Sequence, residues 1–177
     1  MTALLVVGCS KSKPIVYVKP PPKAAARAEI VSTNSSVEEY SPPPNRHRLW
    51  RVHWKTAKME VKDEVPTVGV MDGVDGDIDD RSGIPKTFRA DGAVIDHDSH
   101  VLTLTGNVVV TSSTDKSSLK CDKMVWKPNK NVLAASGNVS YQTPKYTIAN
   151  VPEILANGDL SVIATPGLFK ESDEKKS

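Results

Sequence analysis

Hydrophobic and polar positions alternate through the second half of this chain, and the alternation is interrupted at regular places. Val101-Leu102-Thr103-Leu104-Thr105 alternates strictly, Gly106-Asn107 breaks the pattern, and Val108-Val109-Val110 resumes it. Period-two alternation is the mark of a strand with one buried face, and β-branched Thr and Val disfavour a long helix. A glycine inside such a run signals a bulge or bend. Turn-forming clusters fall at Asp96–Ser99, Thr111–Ser118 and Pro128–Asn131. Strands are therefore predicted near 88–96, 101–105 and 107–112, and again near 119–127, 132–136 and 138–142.

The second set of strands repeats the first. A shift of 31 residues superposes Phe88 on Leu119, Ala90 on Cys121, Asp91 on Asp122, Val94 on Val125 and Leu102 on Leu133. It also carries Gly106-Asn107-Val108 onto Gly137-Asn138-Val139. An apolar pattern held in phase over that length indicates stacked supersecondary units. Period two predicts an inward set of Phe88, Ala90, Val94, Leu102, Leu104, Val108 and Val110 in the first copy. In the second it predicts Leu119, Cys121, Val125, Leu133, Ala135, Val139 and Tyr141. Met124 and Trp126 then take the opposite parity, so either the outer side is covered or Trp126 sits at a rim. A degenerate third copy is expected over Tyr146–Ala164, and a weaker unit before the clear ones has Met71–Ile78 as its last strand. In Arg46–Lys58, the shared parity of Trp50, Val52 and Trp54 suits a first strand. A short helix over Trp54–Met59 is the alternative.

Seven of the 13 prolines lie before residue 45. Such a stretch prefers an extended backbone and has little to bury, so residues 10–45 read as a tether. The core domain is expected over 46–169, followed by a charged tail at 170–177. The formal charge of +2 conceals a gradient, because residues 10–60 hold ten Lys or Arg against four acids, and residues 61–98 hold four against ten. A basic tether before an acidic first unit suits a chain lying along an anionic membrane surface; lysines that merely keep a linker soluble are the plainer alternative. Val6-Val7-Gly8-Cys9 resembles the lipobox of bacterial lipoproteins, which implies acylation of Cys9. Residues 1–9 are short for a signal peptide, so a start upstream is expected. No run of 18 or more apolar residues is present to span a membrane.

Candidate chemistry is sparse. The run Asp72–Asp80 places Asp80 where a calcium loop counted from Asp75 needs glycine, and Lys86 where it needs glutamate. It reads instead as a solvated acidic turn. His97 and His100 map onto Pro128 and Asn131 in the second copy, lack further metal donors, and read as surface histidines. Cys121 matches Ala90 and reads as a small buried hydrophobe. There is no nucleophile elbow, and one glycine between valine-rich strands is no phosphate loop. Neither a cofactor nor a metal is expected, no enzymatic activity is expected, and nucleic acid is not an expected ligand because the basic residues are not interleaved with aromatics.

The repeated strand ending in L-x-L-x-GNV resembles the periplasmic lipopolysaccharide-transport family (LptC/LptA-like, also called OstA-like), and LptC most closely. The resemblance runs from about Trp50 to Phe169. It implies an open antiparallel β-jellyroll, V-shaped or slide-like, that holds acyl chains between two walls. The implied lipid groove is Phe88, Val94, Leu102, Leu104, Val108, Leu119, Val125, Leu133 and Val139. Implied partners are lipopolysaccharide or a related glycolipid, an ABC transporter at the inner membrane, and an LptA-like jellyroll joined by edge-to-edge pairing. Leu160, Val162 and Ile163 are the expected partner edge. The expected location is the periplasm, on a lipid anchor at the inner membrane. Two other readings stand beside it: a structural or adhesive surface lipoprotein with a filled core, and a carrier for another lipid.

Overall fold

The computed structural model describes residues 27–44, 46–62, 65–79 and 86–168. Nine antiparallel strands form one open sheet in chain order. They are β1 (Arg27–Tyr40), β2 (Arg48–Lys62), β3 (Val65–Ile78), β4 (Lys86–Asp96), β5 (Val101–Thr111), β6 (Ser118–Lys127), β7 (Val132–Gln142), β8 (Thr147–Asn157) and β9 (Ile163–Ala164). A 3₁₀ turn at Pro128–Lys130 joins β6 to β7. The all-β expectation holds, and so does the repeat of strand pairs. Expected strands 101–105 and 107–112 are one continuous strand, β5, and 132–136 and 138–142 are likewise one, β7. The stretch read as a tether contains β1, which pairs with β2 along most of its length. Trp54–Met59 lies within β2, so the strand reading applies there and the helix reading does not.

Among the described residues no α-helix covers the sheet, and it buries its apolar face against itself. Trp50 near the start of β2 donates from Nε1 to the carbonyl of His100, 3.2 Å away, in the turn beyond the far end of β4. In register Trp50 faces Ile78, which faces Lys86 at the near end of β4. The eleven residues of β4 would hold those two ends roughly 35 Å apart in a flat sheet. A contact at hydrogen-bond distance therefore requires the sheet to fold back across its strands. Tyr141 does the same at the other side of the molecule, donating from its hydroxyl to the carbonyl of Leu160 at 3.2 Å.

The fold line is written in the backbone. Residues with left-handed φ stand at Asn34 on β1, Gly73 on β3, Gly106-Asn107 on β5, Gly137-Asn138 on β7 and Asn150 on β8. The register sets Asn34 opposite Lys55, Lys55 opposite Gly73, and Gly73 opposite Asp91. Asp91 and Asp122 face the Gly-Asn pairs, and each Gly-Asn strand carries one residue more than its partner across this line. Such bulges bend a strand and sharpen its twist. The two regular repeats build the same clamp here. Asn107 Nδ2 donates to Asp91 Oδ2 at 2.8 Å, and Asn138 Nδ2 donates to Asp122 Oδ2 at 2.8 Å. A Cβ at Gly106 would meet Asp91 Oδ2 at 2.5 Å, and one at Gly137 would meet Asp122 Oδ2 at 2.6 Å. These positions need glycine twice over, for the positive φ and for the space.

The crease also corrects the inward set. On β4 and β6 two consecutive residues turn outward, Asp91-Gly92 and Asp122-Lys123, and the alternation beyond them inverts. Val94 is therefore 37% exposed on the outer face, and Ala93 and Ile95 are buried in its place. Val125 likewise faces outward and is half-buried, while Met124 and Trp126 point into the core. Trp126 thus sits at no rim. A one-residue slip flips every side chain beyond it. On β5 and β7 the longer bulge preserves parity, so Leu102, Leu104, Val108 and Val110 remain inward as expected.

Two stability predictions follow from this geometry. Leu133→Ala should cost about 2–5 kcal/mol in urea denaturation and Val94→Ala under about 1 kcal/mol, because only the former side chain is deleted from the packed interior. Equal losses would contradict the parity inversion. Gly137→Ala should destabilise by at least about 1 kcal/mol from the positive φ alone, more with the Asp122 contact. The compound change Gly137→Ala, Asp122→Ala should recover the steric part of that loss.

Candidate functional site

The interior faces are the site that the sequence points to, and each is built from half of every strand. One wall consists of the halves of β4 to β7 that hold Phe88, Val108, Leu119 and Val139. The other consists of the halves that hold Leu102, Leu104 and Leu133. All seven of these expected groove residues are buried in one continuous apolar cluster. Val94 and Val125, expected among them, lie on the outer face. The cluster also takes in residues that sequence reasoning left out: Trp50, Trp54, Met71, Ile95, Met124 and Trp126. Ile95, Met124 and Trp126 were legible only to a reader who placed the bulge at the Asp of each repeat.

The walls are in side-chain contact. Trp50, Leu102, Leu104, Leu119 and Met124 have no exposed surface at all. Two polar atoms within this apolar interior are orphaned, because the indole Nε1 groups of Trp54 and Trp126 are buried without a hydrogen-bond acceptor. An unpaired buried donor costs roughly 1–3 kcal/mol. The exposed surface over the crease differs in chemistry. A hollow of about 480 Å³ there is lined by Arg89, Asp91, Asn107, Lys120, Asp122 and Asn138 among others. Ala90, Val108, Val109 and Cys121 complete its lining, so the hollow is mixed in character and carries charged groups that the interior lacks.

The mouth opposite the crease is closed by polar contacts at its tips. His97 Nδ1 and His100 Nδ1 each lie 2.9 Å from one carboxylate oxygen of Glu39. These histidines are thus partners of Glu39, where free surface histidines were expected. No sequence signal marks this contact, since Glu39 lies 58 and 61 residues away in a stretch that reads as linker. The acidic run behaves differently from the expected turn as well. Asp72–Ile78 is strand, Arg48 bonds Asp79 at 2.6 Å through Nε, and Arg51 pairs with Asp77. Among the described residues no group of His, Cys, Asp and Glu is placed to hold a metal. Cys121 is buried as expected, and that burial, assisted by Asp122 beside it, pushes its thiol up to about 11. It is therefore a poor nucleophile at neutral pH.

Among the described residues the sheet has two edges. β1 forms one along its outer side and carries exposed Ile30 and Val31. At the other, β9 pairs with only Leu155 and Ala156 of β8. Among the described residues, no strand covers the outer side of Thr147–Ile154. The expected partner edge is accordingly redistributed. Leu160 is buried and holds Tyr141 through its carbonyl, and Ile163 packs partly against the core. Val162 is exposed, but its N–H donates to Asn157 Oδ1 at 2.9 Å. Cys9 lies outside the described residues. No described helix is long and apolar enough to cross a membrane. Compared with models of known protein families the chain matches none, and no curated protein matches it.

Proposed function

We propose that this protein is a periplasmic lipid-binding bridge. It would receive lipopolysaccharide or a related glycolipid from an ABC transporter at the inner membrane and pass it toward the outer membrane. The observation that carries this reading is a single unclosed sheet folded so that two largely apolar walls face each other. The walls are joined by the strands that run through the crease, and the ladders pair only neighbouring strands, so an acyl chain can enter wherever the mouth parts. Each buried CH₂ gains about 0.8 kcal/mol, and the orphaned indoles of Trp54 and Trp126 would find acceptors in the ester, amide or hydroxyl oxygens of acylated glycolipids. The free edges at β1 and β8 suit pairing with a neighbouring LptA-like jellyroll. Acylated Cys9 would hold the chain to the inner membrane, with the residues before β1 as the link. No step in this role requires a catalytic group.

One observation favours a second reading, a structural or adhesive surface lipoprotein. The interior side chains pack against one another, as in a filled core. Photo-crosslinking separates the two. A crosslinker at Leu104 or Leu133 should capture lipid in cells, and one at Val94 or Val125 on the outer face should not. Lipid identified by mass spectrometry at the inner positions alone supports the bridge, whereas equal labelling at both, or none, leaves the structural reading. Fractionation tests the anchor: Cys9→Ser should move the protein from the membrane pellet to the soluble fraction, and a variant that still needs detergent for release would remove the lipid anchor from the account.

A further inference from the structure

The tips of the two walls meet at one end of the mouth through a contact that the strand pairing does not supply. Glu39 and Trp50 are register partners on β1 and β2, at the tip of one wall. His97 and His100 belong to the β4–β5 turn at the tip of the other. His97 takes Glu39 Oε2 and His100 takes Glu39 Oε1, so both carboxylate oxygens accept from a single turn. The Glu39 side chain is only 14% exposed there, which shields these bonds from competing water. Trp50, fully buried, adds its bond to the His100 carbonyl, and its ring lies 6.5 Å from that of His97.

The turn itself is built to present these groups. Asp96 Oδ1 accepts from the N–H of Asp98 at 3.0 Å and of Ser99 at 3.2 Å, a local closure typical of Asx turns. His100 adopts φ +58°, and its counterpart in the second repeat, Asn131, adopts φ +52° in the corresponding turn, so the left-handed residue is the hairpin's own geometry and the Glu39 contact is added to it. Release of Glu39 removes both imidazole bonds at once.

We propose that Glu39, His97 and His100 form a latch that holds the β1–β2 tip to the β4–β5 turn and governs the parting of the walls at that end. Its consequence for cargo rests on the lipid-bridge reading; its geometry does not. The latch makes entry a local event, since freeing two side chains from one carboxylate leaves the crease and the Tyr141 contact at the opposite side intact. It also gives β1 a part beyond its ladder with β2. Without β1 the histidines would lose this carboxylate, and the Trp50 bond to the His100 carbonyl would remain.

Native-state hydrogen exchange on the full chain tests the latch, together with fluorescence of the apolar probe N-phenyl-1-naphthylamine. In Glu39→Ala, exchange at residues 97–101 and around Trp50 should rise at least tenfold, while amides of Leu133–Ala135 keep their protection. His97→Ala, His100→Ala added to that variant should produce no further rise, because the contact is already lost. Glu39→Gln, which keeps the shape and one good acceptor, should fall between wild type and Glu39→Ala, and it serves as the deciding variant if Glu39→Ala exchanges globally. Unchanged exchange at the turn, or independent additive effects of the histidines and Glu39, overturns the latch. Probe uptake reports separately on the interior. A local rise in exchange with no probe bound by any variant keeps the latch and removes the lipid reading; probe uptake with unchanged exchange does the reverse.

Discussion

A sheet that no α-helix covers among the described residues has to hide its apolar face against itself, and everything else here depends on the crease that lets it do so. Backbone hydrogen bonding resists a sharp transverse bend, because a continuous ladder of extended residues has no place to absorb the turn. The chain supplies that place strand by strand, with left-handed Gly and Asn on β1, β3, β5, β7 and β8. On the strands between, a polar side chain lies over the following glycine: Lys55 over Gly73, Asp91 over Gly106 and Asp122 over Gly137. The sign of the charge changes between the first case and the others. What recurs is a side chain that can cover a bare backbone while its polar end reaches solvent. The crease is thus a steric device first and an electrostatic one second.

This accounts for what the repeat preserves. Its identical positions are Asp91 with Asp122, Gly106 with Gly137 and Asn107 with Asn138, together with Leu102 with Leu133 and three valines that line or flank the core. The polar three make the clamp, and the two copies make it with equal Asn-to-Asp distances. Fold class, strand positions and the bend at Gly-Asn were therefore legible in the sequence. The parity inversion was not, because strict alternation was carried through the Asp of each repeat, where two consecutive residues face outward. Val94 and Val125 paid for that assumption, and Trp126 became an apparent anomaly although it belongs in the core. The participation of β1 was hidden for another reason. RAEIVSTNSSVEEY has few apolar residues, since an edge strand that packs lightly needs few, and its neighbours in sequence are rich in proline.

Electrostatics work at the periphery of this fold. The basic and acidic stretches that look like a charge gradient meet in space, with Arg48 and Arg51 of β2 set against Glu38, Asp77 and Asp79. Half-exposed pairs of this kind contribute little individually, but they fix the register of the three strands with the weakest repeat character. The same pairing takes up Asp77 and Asp79 of the acidic run. An apparent binding motif is thereby reduced to cross-strand pairing, and the apolar interior is left as the feature with the clearest bearing on function.

That interior poses an energetic question for the proposed role, because its walls already touch. Parting them exposes apolar surface at about 25 cal/mol per Å², and an acyl chain sliding between them covers the same surface again. Burial is exchanged, so neither state need be strongly preferred. A conduit works best under that balance, since cargo held too tightly would not move on. The crease suits such an exchange because its bulges concentrate bending on one line while the halves of each strand stay paired. Opening is then resisted by contacts at the mouth: Tyr141 with Leu160 on one side, and Glu39 with the two histidines on the other. Each is polar and directional, and each is made at a tip where a small rotation about the crease produces the largest displacement. Contacts so placed can break early in opening, before most of the apolar core has been disturbed.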